Sequence, residues 1–346
     1  MYHTSNFRER RTKLIGIERN ASFLLQELMT QFPAVLILGA RQTGKTTLAT
    51  THYPSFDYFD LEKSSYFQRI RSDPELFFQQ YPAHVIIDEA QLSPELFAIL
   101  RGVIDNNRIE AGRFILTGSS SPALKQQVSE SLAGRIAIIE LEGLKTNESA
   151  KKPFPLIYQA LCDDTLKNLP RPQELCWQPL TQEDIHFNWF NGGYPEVHLH
   201  KEESFISRWF HFYEETYIHR DIAKLFPQLN QYHYQRFIKM LGHLSGTILN
   251  KSQLARDLEI SESSIRSYLD IASGTFLWRQ LNSFEGNKRK TIVRMPRGHL
   301  RDSGLLHHLL KLSNLEALYS HPIVGHSFEG FVIEEILKGL SIVCPN

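Results

Sequence analysis

Residues Gly39-Ala40-Arg41-Gln42-Thr43-Gly44-Lys45-Thr46 set two glycines, a lysine and a hydroxyl at the spacing G-x-x-x-x-G-K-T. Glycines at those positions let backbone N–H groups turn inward around a phosphate, and a helix opening at Lys45 aims its positive end at the same anion. Lys45 then reaches β- and γ-phosphates, the Thr46 hydroxyl can ligate Mg²⁺, and Thr47 completes the loop. An acidic pair, Asp88-Glu89, closes the apolar run that begins at His84. At the end of an ordinary strand these carboxylates would be solvated. Beside a phosphate loop, Asp88 is expected to hold Mg²⁺ through water and Glu89 to polarise an attacking water. ATP and Mg²⁺ are therefore the expected ligands.

Further residues are candidates for the same chemistry. The run Arg113–Thr117 ends in Gly118-Ser119-Ser120-Ser121, which is either a Ser-rich turn or a strand tip carrying γ-phosphate sensors at Thr117 and Ser119. Arg135 follows a glycine ahead of another strand and is either a surface residue or a stabiliser of phosphate charge, in cis or from a neighbouring subunit. Other chemistries lack support. The 15 histidines show no metal-ligand spacing, His307 and His308 face different directions on one helix, and Gly118-Ser-Ser-Ser is not G-x-S-x-G.

The elements that must position these residues follow from periodicity. Ala21–Phe32 reads as an amphipathic helix, Val35–Leu38 as a buried parallel strand, Lys45–Thr50 as the helix after the loop, and Phe56–Leu61 as a second strand. Pro94–Ile104 is helical, and Ser129–Ile139 gives a helix end, a turn and a strand. The alternation fits a doubly wound parallel sheet. With 346 residues and 42% hydrophobic content, two or three domains can each bury a core. Lys plus Arg equal Asp plus Glu at 38 each, so any nucleic-acid signal must be local. Three widely spaced cysteines, Cys162, Cys176 and Cys344, argue for a reducing compartment and against a disulfide framework or metal site. The basic N-terminus lacks an apolar stretch of signal-peptide type and no window suits a membrane span, so a soluble cytoplasmic protein is expected.

Residues 142–181 turn polar and proline-rich and read as a linker or irregular insertion. Residues 187–226 are strongly aromatic at helical spacing, which fits core packing of a helical subdomain better than base stacking. Residues 250–281 read as helix-turn-helix. Leu254, Ala255 and Leu258 pack one helix, Ser261 caps the next, and Ile265, Tyr268, Leu269 and Ile271 face inward. Glu262, Ser263, Arg266 and Ser267 face outward. A strand at Phe276–Leu281 and a basic segment from Gly286 to Arg294 stand in the place of a wing. Arg266, Lys288, Arg289, Lys290, Arg294 and Arg297 are the candidate phosphate contacts, while the single basic residue on the outward helix face keeps a protein-interaction module open.

The strings GARQTGKTTL, VIIDEAQ, FILTGSSS, ESLAGR, GGYPEV, TYIHRDI, QLARDLEISESSIRSYLDIASGTFL and RDSGLLH, in that order, resemble prokaryotic AAA-type ATPases that carry a C-terminal domain of unknown function. The resemblance implies an α/β P-loop NTPase with a parallel sheet of AAA or RecA type, then an α-helical segment and a winged helix-turn-helix. It divides the chain into an N-terminal extension (1–20), the ATPase domain (21–145), a linker (146–181), a helical subdomain (182–245), a winged helix (246–310) and the opening of a restriction-endonuclease-like fold (311–346). The acidic and lysine residues of such a nuclease would lie beyond Asn346, so no nuclease activity is expected. Glu329, Glu334 and Glu335 read as a solvated helix face, and Phe328, Phe331, Val332, Ile336, Leu337 and Leu340 as an apolar face lacking its partner sheet. The expected activity is slow MgATP hydrolysis that repositions the winged helix. A nucleotide-liganded regulatory module with little turnover is the alternative, with duplex DNA, a protein partner or self-association as target and no membrane.

Overall fold

The computed structural model of the chain describes residues 16–119, 122–162, 179–282 and 296–344. Its first half alternates strand and helix: α1 (Ala21–Gln31), β1 (Ala34–Gly39), α2 (Lys45–His52), β2 (Asp57–Asp60), α3 (Ser64–Ser72), α4 (Pro74–Gln80), β3 (Val85–Asp88), α5 (Leu96–Asn106), β4 (Phe114–Ser119), α6 (Pro122–Leu132) and β5 (Ile136–Glu140). The strands form a five-stranded parallel sheet in the order β2-β3-β4-β1-β5. All six residues of β1 are buried, as expected of a central parallel strand covered on both faces. Alternation divides them: Ala34, Leu36 and Leu38 pack with Phe97, Leu100 and Ile104 on one face, and Val35 and Ile37 with Leu25, Leu48 and Ile139 on the other. Each fully buried Val, Leu, Ile or Phe side chain among them stabilises the fold by about 1.5–3 kcal/mol.

Register decides which loops share an end of the sheet. Gly39 pairs with Ser119, and Asp60 with Asp88, so the ends of β1, β2, β3 and β4 open on one edge. At the opposite edge Ala34 pairs with both Phe114 and Ile136.

Beyond the sheet lie α7 (Thr146–Ser149) and α8 (Ile157–Cys162), then α9 (Gln182–Asn191), α10 (Pro195–Leu199), α11 (Glu203–Tyr213), a π-helical segment (Glu214–Asp221) and α12 (Ile222–Leu225). α13 (Gln231–His243), α14 (Lys251–Leu258) and α15 (Glu262–Gly274) precede an antiparallel pair, β6 (Trp278–Leu281) and β7 (Arg297–Leu300). α16 (Ser303–Leu309), α17 (Leu315–Tyr319) and α18 (Val324–Val343) close the described chain. Trp189, Phe210, Tyr213 and Tyr217 are buried in one core with Leu254, Leu258, Ile265, Tyr268 and Leu269, so most aromatics of 187–226 are packing residues, while Phe212 is exposed. Asn250 and Ser261 cap α14 and α15 through Gln253 N and Ser264 N.

Three expectations need correction. Residues 144–149 are not linker: Lys145, Thr146, Asn147 and Glu148 are buried, and Glu148 accepts from Lys145 N at 2.7 Å and Asn20 N at 2.6 Å. Lys145, Asn147 and Glu148 can be buried because their side chains find partners, Lys145 Nζ donating to Tyr158 OH at 2.9 Å and Asn147 Nδ2 to Asn20 Oδ1 at 3.0 Å. Cys162 and Cys344, 182 residues apart, are paired as a disulfide with Cα atoms 6.1 Å apart, against the reading from cysteine spacing. The helix α18 departs from its expected acidic face, while part of its apolar face lies open as expected. It buries Ser327, Gly330, Glu334 and Gly339 and leaves Phe328, Val332 and Ile336 exposed. Glu334 and Glu335 are not solvated, because Arg279, His299 and Lys145 lie opposite them.

Candidate nucleotide-binding site

The loop leaving β1 turns through two left-handed residues, Gln42 (φ 65°) and Gly44 (φ 91°). Gly44 carries that conformation without strain, which is what the second glycine of the motif supplies. Helix α2 starts at the next residue, and the Lys45 side chain folds back over the loop. Its Nζ donates to Ala40 O at 2.8 Å and Gly39 O at 3.3 Å. Lys45 is only 5% exposed, and burial pushes its pKa down, with Glu89 and Asp88 acting in the opposite direction and Arg41 adding to the fall. Among the described residues its hydrogen-bond partners are neutral carbonyls, so a buried ammonium faces the loop without a bonded carboxylate. A phosphate fits that donor set.

Asp88, at the end of β3, is 5% exposed and surrounded by hydroxyls. Thr46 Oγ1 donates at 2.9 Å, Tyr58 OH at 2.5 Å, and Thr117 Oγ1 donates to Oδ1. Thr117 is thus tied to Asp88 across β3 and β4. A hydroxyl and one carboxylate, completed by water and phosphate oxygens, suit Mg²⁺, which keeps several such ligands. Among the described residues no group of three or more His, Cys, Asp or Glu could hold a metal alone. Glu89 has left-handed backbone (φ 56°), a sparsely populated state for a residue with a Cβ. Burial pushes its carboxyl pKa up, opposed by Lys45 and by a hydrogen bond from Gln91 Nε2. The Gln91 Oε1 accepts from Ser119 N at 3.2 Å.

The remaining loop residues serve the surroundings. Thr43 and Ala40 are buried, Thr43 Oγ1 donating to Ala40 O at 3.0 Å, while Gln42 and Thr47 are exposed. Arg41 forms an ion pair with Asp221 at the end of the π-helical segment. Arg19 donates to Thr43 O and Glu142 O, both at 2.7 Å, and to Glu148 Oε1 at 3.2 Å. Sequence reasoning missed Arg19, Tyr58 and Gln91. The only signal for Arg19 is a basic residue just ahead of α1, and strand order alone brings Tyr58 to Asp88.

Of the readings open for Arg135, action in cis is the one the geometry opposes. It precedes the start of β5, beside the start of β1, and pairs with Asp105 at 2.7 and 3.0 Å, at the sheet edge opposite the phosphate loop. A strand length separates it from the site, so it cannot act there in cis. Arg266 is exposed on α15 and lies 3.7 Å from Glu262, and Arg297 lies 3.9 Å from Glu329. Lys288, Arg289, Lys290 and Arg294 lie outside the described residues.

A buried charge cluster links the site's sheet to the C-terminal half. Glu142, just past β5, pairs with Arg301 and, at 3.1 Å, with Arg279. Arg279 reaches Glu334 on α18 at 2.5 Å, and His299 Nε2 meets the same carboxylate at 2.9 Å.

A parallel sheet of this order, with a phosphate loop after the interior strand β1 and an acidic pair where β3 ends, defines a P-loop NTPase of AAA type. A family profile described as AAA domain matches residues 31–150, and one described as a domain of unknown function (DUF8612) matches residues 182–316. Uncharacterized proteins of Mycobacterium bovis and Mycobacterium tuberculosis are each 32% identical to the chain over 330 residues, covering 95% of it and 67% of the relative. The chain belongs to the family of these proteins, and its N-terminal half is an AAA domain. Among solved structures, the Walker-type ATPase PABY2304 of Pyrococcus abyssi is 15% identical with a TM-score of 0.49, covering 85% of this chain and 96% of its own. The AMPPCP-bound DnaA of Aquifex aeolicus is 15% identical with a TM-score of 0.33, covering 73% of this chain and 87% of its own. No helix among the described residues is long and apolar enough to cross a membrane.

Proposed function

We propose that the chain binds MgATP at Gly39–Thr46, hydrolyses it slowly, and passes its nucleotide state to the C-terminal half. The observation that carries this reading is the buried Lys45 ammonium, whose hydrogen-bond partners among the described residues are carbonyls and whose charge is felt by both Asp88 and Glu89, with Thr46 bonded to Asp88. Backbone N–H groups of the loop and Lys45 would grip the phosphates, and Thr46 with Asp88 would hold Mg²⁺. Bound Mg²⁺ would neutralise phosphate charge. Glu89 would take the proton of the attacking water, a role that suits a carboxyl raised by burial.

Coupling rests on side chains that leave the site. Arg41 reaches the π-helical segment, and Glu142 reaches β6 and α18 through Arg279. Helices α13, α14 and α15 followed by antiparallel β6 and β7 support reading this unit as a winged helix. Its target is duplex DNA in one reading. The pairing of Arg266 with Glu262 favours a second, a protein partner, because it leaves little free positive charge on that helix.

Fluorescent-nucleotide titration and phosphate release test the proposal. Lys45→Ala is expected to abolish MgATP binding, and Glu89→Gln to bind normally without turnover. Normal affinity in Lys45→Ala would overturn the site. Binding without turnover in the wild type would leave a nucleotide-liganded module. DNA affinity that falls with salt would assign DNA as target, and salt-independent or absent binding a protein.

A further inference from the structure

Gln91 follows the acidic pair on a single 3₁₀ turn (Ala90–Leu92), and its side-chain amide uses both ends. Nε2 donates to Glu89 Oε2, and Oε1 accepts from Ser119 N, the last residue of β4, at 3.2 Å. The backbone makes room for this bridge. A Cβ at Gly118 would stand 2.8 Å from Gln91 Oε1 and 3.3 Å from Leu124 Cδ2, so the neighbouring glycine is what lets the amide lie against the tip of β4. A left-handed Glu89 backbone fixes where that side chain starts, and the amide fixes where it ends.

We propose that Gln91 is a positioning residue. It holds Glu89 Oε2 so that Oε1 remains free to take the proton from water, and it ties this arrangement to the β4 tip. The inference rests on the ATPase reading above. Movement of Ser119, whether from nucleotide or from α6, shifts the acceptor end of the amide and with it the carboxylate. The side-chain amide of Gln91 acts through its contacts with Glu89 and Ser119, so its effect is expected on the chemical step and not on binding.

Three variants of the full chain test this. Gln91→Glu keeps the length and the Ser119 contact but loses the donor to Glu89. Gly118→Ala crowds the amide without altering either partner. In the Glu89→Gln/Gln91→Glu pair the polarity of the hydrogen bond is reversed, which restores the contact and serves as a folding control. We expect Gln91→Glu and Gly118→Ala each to lower kcat about 10- to 100-fold, the scale of a misplaced reacting group, with MgATP affinity within about two-fold of wild type. Wild-type kcat in Gln91→Glu would overturn the inference while leaving the ATPase reading intact, as would a parallel loss of affinity and thermal stability, which marks a packing role. Equal turnover in wild type and Glu89→Gln would remove the catalytic reading and this inference with it.

Discussion

Replacing Glu334 with Gln tests the charge cluster that joins the two halves of the chain. Glu334 is 2% exposed, and its oxygens meet Arg279 at 2.5 and 3.0 Å and His299 at 2.9 Å, with Arg301 at 3.5 Å. Two carboxylates, Glu142 and Glu334, face two guanidiniums, Arg279 and Arg301, so the cluster is balanced. The amide removes one negative charge and sets an NH₂ against a guanidinium donor. Breaking a buried pair from one side costs about 3–5 kcal/mol. With about 2.1 cal/mol/K of unfolding entropy per residue, a chain of 346 residues should lose about 4–7 °C in Tm. Urea and thermal unfolding measure both. Glu329→Gln, half exposed and 3.9 Å from Arg297, is the control and should change stability by less than about 0.5 kcal/mol. Burial alone would raise the Glu334 carboxyl, but Arg301, His299 and Arg279 hold it well below the unfolded value of 4.5. A depressed folded pKa gives stability that is present above about pH 4.5 and lost as acid protonates the folded state. Glu334→Gln should therefore also flatten the acid limb. A variant within about 1 kcal/mol of wild type would refute the reasoning, since the guanidiniums would then be compensated by water.

Other residues give independent tests. Burial pushes the pKa of His198 and His307 down to about 4 from the ordinary 6.5. Both are neutral when folded, so stability should fall between pH 6.5 and 4 by about 3 kcal/mol for each, and His307→Gln should lose its share of that slope in urea titrations. Arg19→Ala removes the donor shared by the Thr43 and Glu142 carbonyls, should cost about 1–3 kcal/mol, and should weaken MgATP binding in a nucleotide titration. Cys162→Ser opens a loop of 182 residues and should lower stability by up to about 5 kcal/mol under oxidising conditions, with no effect once the wild type is reduced. Non-reducing peptide mapping checks the pairing itself.

The features legible in the sequence were those encoded locally. A run of apolar residues before Gly39 specifies both a strand and the loop it must launch, and Ser261 marks the start of α15 in the same way. Tyr58 was illegible because its contact with Asp88 follows from β2 lying beside β3, a fact of strand order. The sequence leaves Arg135 open between surface and site because proximity to a strand does not say which end of the sheet the residue occupies. Lys145–Glu148 and Glu334 are polar segments that composition assigns to solvent. Their partners, Asn20, Glu335, Arg279 and His299, stand more than thirty residues away in the chain, and only the tertiary arrangement repays their burial.

The reach of Arg19 has a consequence for synthesis of the chain. The phosphate loop is complete by Thr46, yet the arginine behind it is anchored on Glu142 and Glu148, and β1 pairs only with strands that follow residue 113. At translation rates of about 5–20 residues per second, roughly 5–20 s separate emergence of the loop from emergence of its anchors. A nascent chain spends that interval displaying the whole G-x-x-x-x-G-K-T motif on an unpaired apolar strand. It is exposed to chaperones before it is competent for nucleotide.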